Sequence, residues 1–257
     1  MERSKVILLP CANYDEEAVY AAVRQGLTLL GGLRQFVSPE EHILIKPNLL
    51  KNAAPEKAVT THPSVFAAML RCLREEGYEH LSYGDSPGPG PGVDTKRAAE
   101  EAGLTAQAER YGVPLGDFSG ATAKDFPAGK TCKRFMLANE VVKADAVISL
   151  CKMKTHALEN ITGAVKNQYG CIYGSYKAAG HAMYPNSRSF ADMLCGPPAQ
   201  QQAAQMQMMQ LMSIQTDFSP FLKYFAAEMS PSGASIALFE PHMPTAYQTL
   251  MKETFGQ

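Results

Sequence analysis

No two of the six cysteines, Cys11, Cys72, Cys132, Cys151, Cys171 and Cys195, stand in a CxxC pair, and no CxxCxxCxxxCP run occurs. Neither a zinc ribbon nor a ferredoxin-type cluster is readable from that spacing, so no iron–sulfur cluster ligated by this chain is expected. Cys151 and Cys171 flank a basic segment and could meet in space, although an isolated cysteine is more often a small buried hydrophobe. A disulfide framework is missing, and Met1 to Asn13 lacks the charged and apolar regions of a secretory signal, so a reducing cytoplasm is the expected setting. Tryptophan is absent, and the 11 Tyr and 11 Phe are scattered, without an evident base-stacking platform. With 24 Lys and Arg against 25 Asp and Glu, the formal net charge is −1, which argues against wholesale binding to nucleic acid or an anionic membrane. No apolar run reaches the roughly 18 residues of a membrane-spanning helix. GxxxxGK followed by Ser or Thr occurs nowhere, and no GxGxxG opens a helix after a strand, so nucleotide binding of the standard kinds is not supported.

What is present is strand and helix in alternation. The residues predict a strand at Lys5 to Leu9, a helix from about Asp15 to Leu30 with Val19, Ala22, Val23 and Leu27 as its stripe, and a β-like run over His42 to Leu50 that Pro47 interrupts. Thr61 or His62 fits an N-cap with Pro63 at the first helical position, so a helix should run to about Glu76, followed by a strand at Leu81 to Tyr83. Short helices are expected at Asp94 to Ala102 and Thr105 to Tyr111, and strands at Val113 to Phe118, Lys133 to Leu137 and Ala144 to Leu150. Asn139 to Lys143 reads as a turn or short helix. Strands alternating with helices mean an α/β fold with a mainly parallel sheet and helices on both faces. The 257 residues, 46% hydrophobic, suffice for one large domain, or one domain with an appendage.

Chemistry concentrates just past the strands. Lys46 and Asn48 follow the first long strand, Asp85 and Ser86 open the GDSPGPGPG loop, and Lys152, Lys154 and His156 occupy alternate positions after the last strand, facing one side if the chain stays extended. In doubly wound sheets ligands lie at the carboxyl ends of strands, so Lys46, Asp85 and Lys152 are candidates for one cleft. From about Asn160 the spacing of Ile161 and Val165 predicts a helix carrying Lys166 and Asn167, whose N-terminal end would add N–H groups and a positive dipole end. The simplest target is an anion. Solvated lysines and a rigid Gly/Pro turn are the plainer alternatives. Cys171 to Pro185 reads as an irregular segment that could close over a ligand, and Ser187 as a cap for the next helix.

Together ILIKPNLL, the TTHP helix start, GDSPG and KMKTHALENITGAVKNQYGC resemble the DUF362 family, collinearly over residues 5 to 195. Many of its members carry a ferredoxin-like module downstream, so the resemblance implies redox company rather than a reaction. It also places His181 near the site. Assembled, the candidate catalytic residues are His156, Asp85 and His62. The candidate ligand-binding residues are Lys46, Asn48, Thr61, Ser86, Lys152, Lys154, Lys166, Asn167 and His181. His156 or His62 is expected to exchange a proton near neutral pH, Lys46, Lys152, Lys154 and Lys166 to hold negative charge, and Asp85 to orient a Lys or a metal. Metal content, cofactor and enzymatic status are left open. The leading expectation is a cytoplasmic protein binding a small anionic or carbonyl-bearing ligand, a redox-linked enzyme working with a separate ferredoxin-type protein, and touching neither nucleic acid nor membrane. The alternatives are a non-catalytic cofactor-binding or assembly module, and an inactive truncated or frame-shifted product.

Composition changes abruptly at Gly196. From Ala199 to Gln215 the run holds Gln, Met and Ala and no charge up to Gln215, so residues 1–195 are expected to form the α/β domain and 196–257 a divergent, helical Gln/Met-rich appendage. A family-specific variation and a segment read in a shifted frame are the other readings of that tail.

Overall fold

The computed structural model describes residues 6–88, 90–127, 131–156, 160–195 and 210–211. Helix α1 (Glu16–Leu30) starts where Asp15 accepts from the Ala18 N–H, and stops at Gly31, whose φ of 100° only glycine takes up cheaply. Strand β1 (Ile43–Pro47) is buried along its whole length. Helix α2 (Pro63–Glu75) begins at the cap His62, with proline at its first position, and leads to β2 (Leu81–Tyr83). Then come α3 (Thr95–Glu101), α4 (Leu104–Arg110), β3 (Ala121–Asp125), β4 (Arg134–Ala138), α5 (Asn139–Lys143) and β5 (Ala146–Leu150). After these follow β6 (Lys154–His156), β7 (Asn160–Thr162), α6 (Ala164–Asn167), α7 (Gly174–Met183), α8 (Ser187–Cys195) and β8 (Gln210–Leu211).

The main sheet has the order β2-β1-β5-β8 and is parallel throughout. Ile43 pairs with both Leu81 and Ala146, so the three strands start in register; β1 and β5 end together at Pro47 and Leu150, and β2 stops at Tyr83 opposite Ile45. Both faces are covered, which is why β1 and β5 read as continuous apolar runs rather than alternating ones. Ile43, Ile45, Ile148 and Leu150 face a core built with α1 to α4, where Phe66 of α2 meets the Tyr83 ring at 5.2 Å. Leu44 and Val147 face the other way, against Phe118, Cys171 and Val141 of α5.

Several expectations are corrected. Of the strand expected at Lys5 to Leu9, Lys5 lies outside the described residues, Val6 makes a single bridge and Ile7 to Leu9 form no strand, while Val113 to Phe118 contribute one bridge, Tyr83 with Leu115, where Pro114 and Gly116 interrupt the run. Strand β4 exists but leaves the parallel sheet to pair antiparallel with β3, which the sequence did not signal. The helix expected from Asn160 is mostly not one: Asn160–Thr162 pairs antiparallel with β6, and α6 is a single turn. The segment read as irregular from Cys171 to Pro185 holds the ten-residue α7. Asn186 rather than Ser187 caps the next helix, its Oδ1 accepting from the Ser189 N–H. Of the appendage expected to be helical, 196–209 and 212–257 lie outside the described residues, and Gln210–Leu211 adds a parallel strand beside β5.

Candidate functional site

Parallel strands that end together bring their following residues to one edge, and here that edge is cationic. Lys46, fully buried, forms an ion pair with Asp85, its Nζ 2.8 Å from Oδ1. It also donates to the Asn167 carbonyl at 2.6 Å. That carbonyl lies at the C-terminal end of α6, so the helix offers its negative pole to Lys46 where a positive pole for a ligand was expected. The other Asp85 oxygen accepts from the Leu49 N–H at 2.8 Å. Gly170 permits this arrangement: a Cβ there would overlap Asp85 Oδ1 and stand 2.7 Å from Lys46 Nζ. Backbone must approach a buried ion pair at this point, and only glycine leaves the room.

Amides and hydroxyls tie the strands around that pair. Thr61 donates to the Leu150 carbonyl at 2.6 Å and accepts from the Asn48 N–H at 2.8 Å, clipping the ends of β1 and β5 to the start of α2. Asn48 Nδ2 donates to Asn167 Oδ1, and Asn167 Nδ2 donates to Ser149 Oγ. Lys154 reaches across to donate to Asn48 Oδ1 and to the Val59 carbonyl. Lys177 of α7 donates to the carbonyls of Ser86 and Pro87, and Ser86 Oγ accepts from the Gly174 N–H, so Ser86 seats the first turn of α7.

Lys152 goes elsewhere. It is 3% exposed, and its Nζ lies 3.5 Å from the Tyr14 hydroxyl. Tyr14 stacks on His62 with ring centroids 3.7 Å apart at 11°. Nδ1 of His62 accepts from the Ser64 N–H, which leaves the neutral ring's proton on Nε2. Burial and the charge of Lys152 push His62 down to about 4, so its imidazole is uncharged at neutral pH. At the far side of the edge Lys166 lies over the rings of Tyr169 and Phe190, and His181 stacks on Phe190 at 4.4 Å. His156 falls in β6, with its side chain outside the described residues.

Burial lowers Lys152 and Lys154 to about 7 and Lys177 to about 8, from an ordinary 10.5. Lys154 is further depressed by Lys152, Lys166 and Lys177, while Asp85 acts against the shift in both Lys154 and Lys177. Of the two histidines expected to exchange a proton near neutral pH, His62 is pushed below that range, and the lysines are brought into it. Cys151 and Cys171 do not meet in one cluster: one packs on Ala164, the other under Leu44, and burial raises both thiols. Among the described residues no three His, Cys, Asp or Glu side chains are grouped to hold a metal ion. The sequence overlooked Tyr14, which stands 138 residues before Lys152 with no local signal. It shows Lys177 only as part of a loop near the site and not as a ligand-binding residue, because the glycines of its helix read as loop.

Fold and edge define a parallel α/β domain with a desolvated, lysine-rich strand-end site. The family model described as a domain of unknown function, DUF362, matches residues 43–223, and the chain belongs to that family. The match begins and ends later than the 5–195 expected, and runs past Cys195. A curated relative, "Thylakoid-associated protein sll1697" of Synechocystis sp., is 35% identical over 179 residues, which cover 68% of this chain and 53% of the relative. The chain thus spans about half the length of the curated relative it matches. Among the described residues no helix is long and apolar enough to cross a membrane.

Proposed function

We propose that this chain binds a small anionic or carbonyl-bearing ligand at the carboxyl edge of its parallel sheet. The observation that carries this reading is the charge imbalance at that edge. Among the described residues, Asp85 is the carboxylate that acts on Lys154 and Lys177, and it is already committed to Lys46, while Lys152 and Lys166 repel Lys154. Holding several desolvated ammonium groups together costs free energy that an anion would offset. Lys154 and Lys177 hold the anion, with Lys152, Lys166 and His181 bordering it and Lys46, Asp85, Asn48, Thr61 and Asn167 fixing the frame.

Titration calorimetry with inorganic phosphate, sulfate and a small carboxylate tests this. Saturable binding that is lost in Lys154→Met, with the fold retained by circular dichroism, is expected; equal weak heats in both proteins would refute it. A redox-linked reaction with a separate iron–sulfur protein belongs to the proposal through the family resemblance, and ferredoxin-dependent turnover is its readout. Cytoplasmic placement is likewise proposed, against the association that the relative's name gives for that protein; cell fractionation separates the two. The appendage at 196–257 is proposed as dispensable for ligand binding, tested with a chain ending at Leu194. A family match reaching 223 supports an in-frame tail at least that far.

A further inference from the structure

We infer that residues 218–229 of this chain are an apolar strap that docks on the outward face of α7. The inference is independent of what binds at the strand ends, and it assigns an occupant to a surface that the described residues leave open.

Helix α7 is built inside out. Its inward positions are polar or small: Lys177 donates to the carbonyls of Ser86 and Pro87, His181 stacks on Phe190, and at Gly180 a Cβ would overlap the Tyr169 hydroxyl. An ordinary surface helix would then turn its charged residues outward. Here the outward positions are Tyr176, Ala178, Ala179, Ala182 and Met183, all exposed and none charged. Tyr176 is 46% and Met183 69% exposed, and seven residues apart on a helix they share one face.

Two copies meeting by this face alone would bury too little. A helix of this length is about 15 Å long and about 10 Å across, so one face offers a few hundred Å² at most, against roughly 800 Å² per partner in a stable interface. A segment of the same chain escapes that limit, because tethering supplies effective concentration in place of area. The chain beyond Cys195 also starts close by, since α8 packs on α7 through Phe190 and His181. Leu211 pairs beside Ser149, which pairs with Lys46, whose partner Asp85 precedes the Ser86 that seats α7. From there the stretch to Phe221 spans up to about 33 Å, enough to cover that path.

Within 212–257 the sequence FSPFLKYFAAEM supplies the match. Ser219 fits an N-cap and Pro220 a first helical position, so Phe221, Leu222, Phe225 and Met229 fall on one side with Lys223 opposite. Laid on α7, that stripe covers Tyr176, Ala179 and Met183 and leaves Lys223 in water. The strap adds burial and no ligand group, so the chemistry of the strand ends stays with the residues already named.

The experiment uses the full chain with the photoreactive p-benzoylphenylalanine in place of Tyr176, irradiates it in dilute solution, and maps crosslinks by peptide mass spectrometry. Expected is a crosslink within one chain to a peptide from 218–229, in a yield independent of protein concentration. The same probe in place of Lys96, exposed on α3, should not reach that peptide. Phe225→Asp should lower the α7 crosslink by at least about tenfold and speed the peroxide oxidation of Met183, with circular dichroism unchanged. Crosslinks between two copies that rise with concentration would overturn the strap and make this face a homodimer contact. Absence of any crosslink to 218–229 would overturn it as well, and so would Met183 oxidation indifferent to Phe225→Asp. The crosslink map of the chain with its native tail decides the matter even where Phe225→Asp fails to fold.

Discussion

Two halves of one sheet edge use lysine in opposite ways. Around β1 and β2, Lys46 is paid in full by Asp85, the Asn167 carbonyl and the close pass of Gly170, and its charge is a fixed part of the frame. Past β5, Lys152 and Lys154 are desolvated and titrate near neutrality, with Tyr14, His62 and Asn48 as described neighbours. The contrast teaches that burial alone does not assign a role. A buried cation with a matched anion specifies structure, whereas among the described residues Lys154 and Lys177 share a carboxylate already committed to Lys46, which is the imbalance that the proposed anion site would relieve.

Breaking the locked half should have the largest effect. Asp85→Ala strands a fully buried ammonium and is expected to cost about 3–5 kcal/mol in chemical denaturation. Removing both charges in Lys46→Met with Asp85→Leu should recover part of that loss, which an independent role for each residue would not allow. Gly170→Ala should cost about 1–3 kcal/mol, because its new methyl meets Asp85 and Lys46 rather than open space.

The desolvated half is sharpened by pH. A lysine whose folded pKa lies below its unfolded value binds more protons when unfolded, so its contribution to stability grows as pH rises from about 7 toward the unfolded value. Denaturation midpoints should therefore rise over that window, by at most about 2 kcal/mol per lysine between pH 7 and about 9. Lys152→Met and Lys154→Met should each flatten the rise. Smallest of all is Lys96→Met on α3, whose exposed pair with Glu100 at 3.9 Å should move stability by less than about 0.5 kcal/mol.

The skeleton was legible because its signals are local. Asp15 at a helix start, Thr61 or His62 as a cap, Pro63 at a first helical position, and the apolar stretches at the start of β1 and β5 fix α1, α2 and the parallel core from a few neighbouring residues. The three strand ends followed from that core, and Lys46 with Asp85 from the strand ends. What escaped depends on pairing across the chain. Asn160–Thr162 has helical spacing yet pairs antiparallel with β6, and no local pattern announces a partner for β4 in β3. Lys152 and Lys154 look alike two residues apart. The start of β6 at Lys154 separates them, sending one to Tyr14 and the other to Asn48, a divergence that spacing cannot encode.

Proton linkage tests the central claim most directly. Phosphate binding is measured by calorimetry at about pH 8 in two buffers of different ionisation enthalpy, where Lys152 and Lys154 are mostly neutral in the free protein. An anion that recharges these lysines must draw protons from solution, so the account predicts net proton uptake, weaker binding at about pH 9 than at about pH 7, and reduced uptake in Lys154→Met. Phosphate bound with no net proton uptake in either buffer would contradict it.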